Sequence, residues 1–232
     1  MIAKLRRVLT ARILKFLTDK LTKNQKDYEQ FYKDYGLFIK EGVITAEDSY
    51  ERAEIAKLLK FESSAFPPGT LITLNDYVSR IKDGKKEIFY LAAPSRELAE
   101  SSPYYESLKK QNVEVLFCVE PHDEHVLMFL QEFNNCRLTS LEKEMGQGKE
   151  AEAADFGGGV LEGDIDNIKK IFKETLKHKI HAVRITKRLE NHPCAITLEN
   201  MASARQFIKQ MSSMTEENLY SILRPHLEIN PT

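Results

Sequence analysis

The chain has 232 residues, 42% hydrophobic and 30% charged, a globular balance with enough interior for the core of one large or two small domains. Its 34 basic and 35 acidic residues nearly cancel, which gives no electrostatic case for a nucleic-acid partner, and charges interrupt every apolar run before the ~20 residues that membrane insertion needs. Three widely spaced cysteines without a CxxC pair are typical of reduced thiols inside a cell.

The first predicted element is a basic amphipathic helix. The first 26 residues hold eight Lys or Arg against one Asp, and Leu5, Leu9, Ile13 and Phe16 recur at helical spacing. A mitochondrial transit segment, a helix lying on anionic lipid and an ordinary surface helix all fit this pattern. The absence of serine before Ser49 argues against a transit segment, and the pattern favours the surface helix.

Helical spacing continues beyond the basic segment. Tyr28, Phe31 and Tyr35 recur at three and four residues, with helix breaks predicted at Gly36 and Gly42. A further helix carries Ile55, Leu58 and Leu59 inward. We therefore predict that residues 1–62 are mostly helical and that "FPPGT" at 66–70 ends this part of the chain.

The periodicity changes in residues 63–145. "EIFYLAA", "VEVLFCV" and "CRLTSLE" are short apolar runs, and "SSPYYESLKKQN" and "HDEHVLMFLQEF", which separate them, have helical patterns. Strands that alternate with crossover helices predict a small parallel β-α-β-α-β domain, so the fold class is α/β.

The last third of the chain is predicted to form a second, smaller α+β domain. Residues 146–163 hold six of the ten glycines and are predicted to be a linker. In residues 164–232, an amphipathic helix begins near Asp164, and "AVRITKRL" and "CAITLE" are predicted strands of an antiparallel hairpin joined through "ENHP".

Two groups of histidines raise the alternative of a metal-dependent enzyme. His122 and His125 are three residues apart, with Glu120 and Asp123 nearby as oxygen donors. The second group contains His178, His181, His192 and Cys194. Neither spacing matches a known zinc signature, and the first group is equally consistent with a strand end and a negatively charged helix start.

A methionine-rich segment near the end of the chain is the candidate for protein binding. Its candidate residues are Met201, Phe207, Ile208, Met211 and Met214. Most such helices face a core, but flexible thioethers also suit an adaptable apolar surface for unfolded chains. The composition of the segment is compatible with both.

Several blocks of sequence, in order along nearly the whole chain, resemble the ATP-dependent heat-shock protein 90 chaperones, and within them the mitochondrial branch. The blocks are "DYGLFIKEGV" at 34–43, "LLKFESSA" at 58–65, "IFYLAAPSRELAESSPYYESLKK" at 88–110, "EVLFCVEPHDE" at 114–124, "LQEF" at 130–133 and "LEINP" at 227–231. The glycine-rich linker is the least similar part.

The resemblance implies that these residues form the later part of a middle domain, 1–62 and 63–145, and the first part of a carboxy-terminal domain, 164–232. In the family, ATP and Mg bind a separate amino-terminal domain, and the catalytic arginine loop and the dimerising helices lie outside the matching region. We therefore expect no cofactor or metal in this chain, no catalytic residue, no ATPase activity alone, and a monomeric or weakly associating state.

For the parent protein, the resemblance implies a homodimeric clamp in mitochondria that holds client proteins and is driven by ATP hydrolysis. Residues 1–232 would couple the nucleotide-driven end to the dimer end and present client surface. The resemblance also favours a surface role for the segment from Met201 to Met214.

Overall fold

A computed structural model of the chain describes residues 2–81, 86–120, 122–146, 162–189, 192–198, 220 and 222–231. The chain divides into two compact units, Met1–Arg96 with Glu114–Leu138, and Glu97–Val113 with Thr139–Thr232. Each unit is described separately below. The division into residues 1–62, 63–145, 146–163 and 164–232 stays a prediction.

Three helices open the first unit. They are α1 (Ile2–Lys23), α2 (Gln25–Thr45) and α3 (Ser49–Ala56). Asp48 caps α3, because its carboxylate accepts a hydrogen bond from the Tyr50 backbone N–H at 3.1 Å. The predicted breaks at Gly36 and Gly42 are wrong, since α2 runs through both. A Cβ at Gly36 would lie 3.2 Å from the Tyr32 ring, so this glycine permits close packing inside a continuous helix.

A six-stranded sheet forms the centre of the first unit, in the order β2-β1-β4-β3-β6-β5. The strands are β1 (Lys60–Ser63), β2 (Leu71–Thr73), β3 (Glu87–Ala92), β4 (Val115–Cys118), β5 (Glu132–Phe133) and β6 (Cys136–Ser140). The strands β3 and β4 are parallel, and β1 pairs with both β2 and β4 in antiparallel register. The predicted α/β class and the strand-helix alternation are confirmed. The strands β1, β2 and β5 are additions of two to four residues, too short to give a clear strand pattern in the sequence. Their antiparallel pairings make the sheet mixed and not wholly parallel as predicted.

Short helices connect these strands. They are α4 (Leu74–Arg80) and α7 (Asp123–Leu130) in the first unit, and α5 (Arg96–Glu100) and α6 (Pro103–Lys110), which apart from Arg96 belong to the second unit. Thr73 and Asp76 form a capping box at the start of α4, and Ser102 caps α6 with Pro103 in its first turn. One apolar core of the first unit, including Leu59, Phe61, Leu116 and Leu127, lies between its sheet and the helices α2, α3, α4 and α7.

The second unit contains a three-stranded sheet, in the order β7-β9-β8, and further helices. Its elements are α8 (Leu141–Gly146), α9 (Glu162–Leu176), a 3₁₀ turn (Lys177–Lys179), β7 (Ala182–Ile185), β8 (Cys194–Thr197) and β9 (His226–Ile229). Ile165 of α9 packs on Val183, Ile185, Leu227 and Ile229 to form a small core.

The predicted hairpin between β7 and β8 is wrong, because β9 lies between them. The strand β9 is parallel to β7 and antiparallel to β8, so the two predicted strands run in opposite directions without pairing. All four residues of β9 are buried, and as the central strand it can hydrogen-bond on both edges. The strand β7 therefore pairs with β9, which is distant in the sequence, and not with β8, as the short connection between β7 and β8 suggested.

Among the helices that the structure describes, none combines the length and apolar character that crossing a membrane requires.

Candidate functional site

The buried face of α2 includes a lysine. Lys40 lies on the same inward-facing side of α2 as Tyr32, Gly36 and Val43, and only 5% of its surface is exposed. Its Nζ lies 2.7 Å from Oδ1 of Asp123, which is 2% exposed. A buried ammonium needs such a partner, because an isolated charge away from water is very unfavourable. The ion pair therefore joins α2 to the start of α7.

Asp123 also orders the turn between β4 and α7. Its Oδ2 accepts a hydrogen bond from the Glu120 backbone N–H at 3.2 Å, in the "EPHDEH" segment. His122, at the N-cap of α7, is exposed and has φ = 71°, in the left-handed region. The segment thus ends a strand and begins a helix, as one of the sequence interpretations predicts, and its central carboxylate is a buried structural group.

The ionisation of Asp123 gives the first unit a pH-dependent stability. Burial raises the pKa of its carboxyl to about 6, against the opposing effect of Lys40, whereas in an unfolded chain the carboxyl ionises near pH 3.9. Between these pH values the folded chain binds more protons at Asp123 than the unfolded chain does. The protonated carboxyl therefore contributes fully to the stability of the folded chain below about pH 4, and this contribution is lost as the pH rises through about 6.

We expect the free energy of unfolding of the wild-type chain, relative to Asp123→Asn, to fall by roughly 2 to 3 kcal/mol between about pH 4 and pH 7. Asparagine does not titrate, so the difference isolates this carboxyl from all other groups. Urea unfolding of both chains at several pH values measures the difference. A difference that stays constant, or that grows with pH, would contradict this assignment.

A second ion pair and two tyrosines fasten α2 to β1. Lys60 Nζ lies 3.1 Å from Oε1 of Glu29, and this hydrogen bond is the main cause that lowers the pKa of Glu29. The Tyr28 hydroxyl donates to the Leu58 carbonyl at 2.6 Å, and the Tyr32 hydroxyl donates to the Lys60 carbonyl at 3.2 Å. These polar contacts connect α2 to the beginning of β1 and to Leu58 just before it, within the first unit.

A groove of about 650 Å³ separates α1 from α3. Its α1 wall carries Arg6, Arg7 and Lys15, and the opposite wall carries Glu47, Asp48, Glu51 and Glu54. Within the part of the chain that the structure describes, no ion pair crosses the groove. The acidic wall would repel a polyphosphate, so the charge pattern favours a ligand that carries both signs, such as a polypeptide.

The strands β8 and β9 of the second unit precede and follow the methionine-rich segment in the sequence. Thr197 at the end of β8 pairs with His226 at the start of β9, so the chain leaves one strand and enters the other at the same end of the sheet. This end is polar and buried: Thr197 donates a hydrogen bond to Oε1 of Glu228 at 3.2 Å. The candidate residues themselves lie outside the described residues; they are Met201, Phe207, Ile208, Met211 and Met214.

The histidines of the second unit have protein partners. Nδ1 of His192 lies 3.1 Å from Oε2 of Glu106, and Nε2 of His181 lies 2.7 Å from Nη2 of Arg224. The ring of His181 meets the His226 ring edge-on at 5.5 Å. An arginine beside an imidazole nitrogen opposes a metal cation at that atom, which counts against a site built on His178 and His181.

Among all the residues that the structure describes, no three His, Cys, Asp or Glu side chains come together as a metal-ligand set. His122 is exposed at a helix start, and the carboxylate of Asp123 beside it is directed to Lys40. The structure therefore gives the metal-dependent alternative no ligand set at His122 and His125.

The whole chain, residues 1–232, matches the sequence model of a family described as "Hsp90 protein". It is 41% identical over 237 residues to "Heat shock protein 75 kDa, mitochondrial" of Bos taurus, an alignment that covers 100% of the chain and 34% of that protein. It is 34% identical to "Chaperone protein HtpG" of Desulfitobacterium hafniense, over 100% of the chain and 37% of that protein.

A third relative is "Endoplasmin homolog" of Hordeum vulgare, 33% identical over 210 residues, which are 88% of the chain and 25% of that protein. The chain thus spans between 25% and 37% of the length of these three relatives.

Proposed function

Because this chain belongs to the Hsp90 protein family, we propose that it is part of a molecular chaperone that binds unfolded or partly folded client proteins. The observation that carries the proposal is the match over residues 1–232, together with relatives whose names describe chaperones and heat-shock proteins. We propose that the client surface includes the segment from Met201 to Met214, where methionine and phenylalanine side chains can repack against many partners.

The mechanical part of the proposal concerns the first unit. A chaperone clamp must transmit movement along the chain, and a segment transmits it only if its parts do not slide on each other. The buried Lys40–Asp123 pair and the hydroxyl contacts of Tyr28 and Tyr32 support this role, because they join α2 to the start of α7, to Leu58 and to Lys60 of β1. In this proposal, the first unit couples the nucleotide-driven end of the longer protein to its dimer end.

The longer protein is proposed to be an ATP-hydrolysing homodimer, with ATP and Mg bound outside these residues. The α1–α3 groove supports this assignment, because the acidic side chains on its α3 side would repel a polyphosphate. A mitochondrial location is supported by identities of 41% and 40% to two mammalian relatives named mitochondrial.

A binding measurement with a permanently unfolded protein tests this proposal. We expect the chain to bind reduced, carboxymethylated α-lactalbumin, followed by fluorescence anisotropy, at least about tenfold more tightly than native α-lactalbumin, a difference of about 1.4 kcal/mol. We also expect ATP with Mg to leave this affinity unchanged. Equal affinity for the two forms of α-lactalbumin would overturn the client-binding proposal, and micromolar ATP binding in calorimetry would overturn the assignment of the nucleotide site.

A further inference from the structure

A row of aromatic rings runs along α2 from the core to the surface. Tyr28, Phe31, Tyr35 and Phe38 follow one another at three, four and three residues, and consecutive ring centroids are 5.8, 5.4 and 6.3 Å apart. Tyr28 is buried and Phe31 is partly buried, whereas Tyr35 is 53% exposed and Phe38 is 62% exposed. We call Phe31, Tyr35 and Phe38 the aromatic row.

Single exposed apolar residues are normal on protein surfaces, but contiguous ones mark interaction sites. The aromatic row is contiguous, because each of its rings contacts the next. Complete burial of an aromatic side chain removes roughly 150 to 250 Å² from water, and Tyr35 and Phe38 each still expose more than half of their surface. Together they offer a partner about the apolar area of one whole aromatic side chain.

Three acidic side chains line one side of the aromatic row, and we call them the acidic border. Asp27, Asp34 and Glu41 recur every seven residues, and all three are exposed. Asp34 follows Phe31 by three residues and precedes Phe38 by four, which makes it a neighbour of both on the helix surface. Asp27 is already paired with Lys20 at 3.7 Å, whereas Asp34 accepts a hydrogen bond from the neutral Gln30 side chain at 3.0 Å. The negative charge beside the outer rings is therefore not neutralised by that contact.

We propose that the aromatic row and its acidic border bind polypeptide segments in which lysine or arginine alternates with apolar residues. The faces of aromatic rings attract cations, and carboxylates pair with ammonium and guanidinium groups. Both features of α2 thus select the same partner chemistry, and the border disfavours acidic segments by like-charge repulsion. The inference rests on the proposed function in that it takes the partner to be a client chain, and it names the class of client segment.

Labelled model peptides test the inference without any client protein. The probe is a fluorescein-labelled amphipathic peptide of leucine and lysine, and its counterpart carries glutamate at every lysine position. We expect the wild-type chain to bind the lysine peptide at least about tenfold more tightly than the glutamate peptide, and high salt to reduce the difference.

Two variants separate the contributions of the rings and of the charges. Tyr35→Ser with Phe38→Ser should weaken binding of the lysine peptide at least about tenfold, and Asp34→Lys with Glu41→Lys should reverse the preference between the peptides. Ile171→Ser is the control, because Ile171 is an apolar residue that is 60% exposed on α9 of the second unit, away from the aromatic row. All substituted side chains are exposed, so thermal melting should show folded variants.

Three results would overturn the inference: undiminished binding by the Tyr35→Ser, Phe38→Ser chain, an equal loss in Ile171→Ser, or a dimer in sedimentation that the ring substitutions convert to a monomer. The last result would assign the face to a second copy of this chain. If the chain binds unfolded α-lactalbumin but not the lysine peptide, only this inference fails. If it binds the peptide but not α-lactalbumin, only the proposed function fails.

Discussion

Replacing Lys40 with methionine is expected to lower the free energy of unfolding of the first unit by about 3 to 5 kcal/mol at neutral pH. Methionine keeps most of the volume of the lysine chain but removes the ammonium that lies 2.7 Å from Asp123 Oδ1. The carboxylate, 2% exposed, would then be buried without a cation. It must either remain charged at a high cost or take up a proton at neutral pH, and both consequences destabilise the folded chain.

Urea unfolding followed by circular dichroism measures this loss. Lys33→Met is the matched control, because Lys33 is exposed on the same helix, and its effect should stay within about 0.5 kcal/mol. Adding Asp123→Asn to Lys40→Met removes the uncompensated charge and should recover part of the lost stability. A loss below about 1 kcal/mol in Lys40→Met would contradict a buried ion pair at this position.

The importance of Lys40 was not predicted, although the sequence contains a signal for it. Lys40 lies four residues after Gly36 and three before Val43, on the same face as Tyr32, so a lysine occupies an inward position of an amphipathic helix. The acidic residues after Pro121 were interpreted as charges that stabilise a helix start. Finding the pair would have required matching Lys40 to Asp123, and local patterns carry no information about contacts between distant segments.

The same limit explains which strands were predicted. The strands β3 and β4 are buried apolar runs bounded by turn residues, and both were predicted where they occur. In contrast, β9 was missed as the central strand of the second sheet, because its pairing with β7 bridges more than forty residues. The glycines of α2 were misread for a related reason, since the Tyr32 ring that packs on Gly36 is visible only in the folded helix.

The second large effect is expected at Phe207 and Met211. These residues are four apart, so on a helix they would present one apolar surface to a client chain. A glutamate in such a contact must lose its water without gaining a partner, which makes client binding unfavourable. We therefore expect Phe207→Glu with Met211→Glu to abolish most of the ability of the chain to suppress thermal aggregation of a model client such as citrate synthase.

The matched control for this substitution is Ile171→Glu, because Ile171 is 60% exposed on α9 in the second unit. It places one glutamate, against two in the double variant, on an exposed apolar position outside the proposed client segment. Thermal melting of each variant reports whether the chain remains folded.

Light scattering of citrate synthase at 43 °C, with the wild-type chain and these variants at equal concentration, tests most directly whether residues 201–214 form a client-binding surface. The account predicts strong suppression by the wild-type chain and by Ile171→Glu, and little suppression by a folded chain that carries Phe207→Glu and Met211→Glu. Equal suppression by all three chains would contradict it.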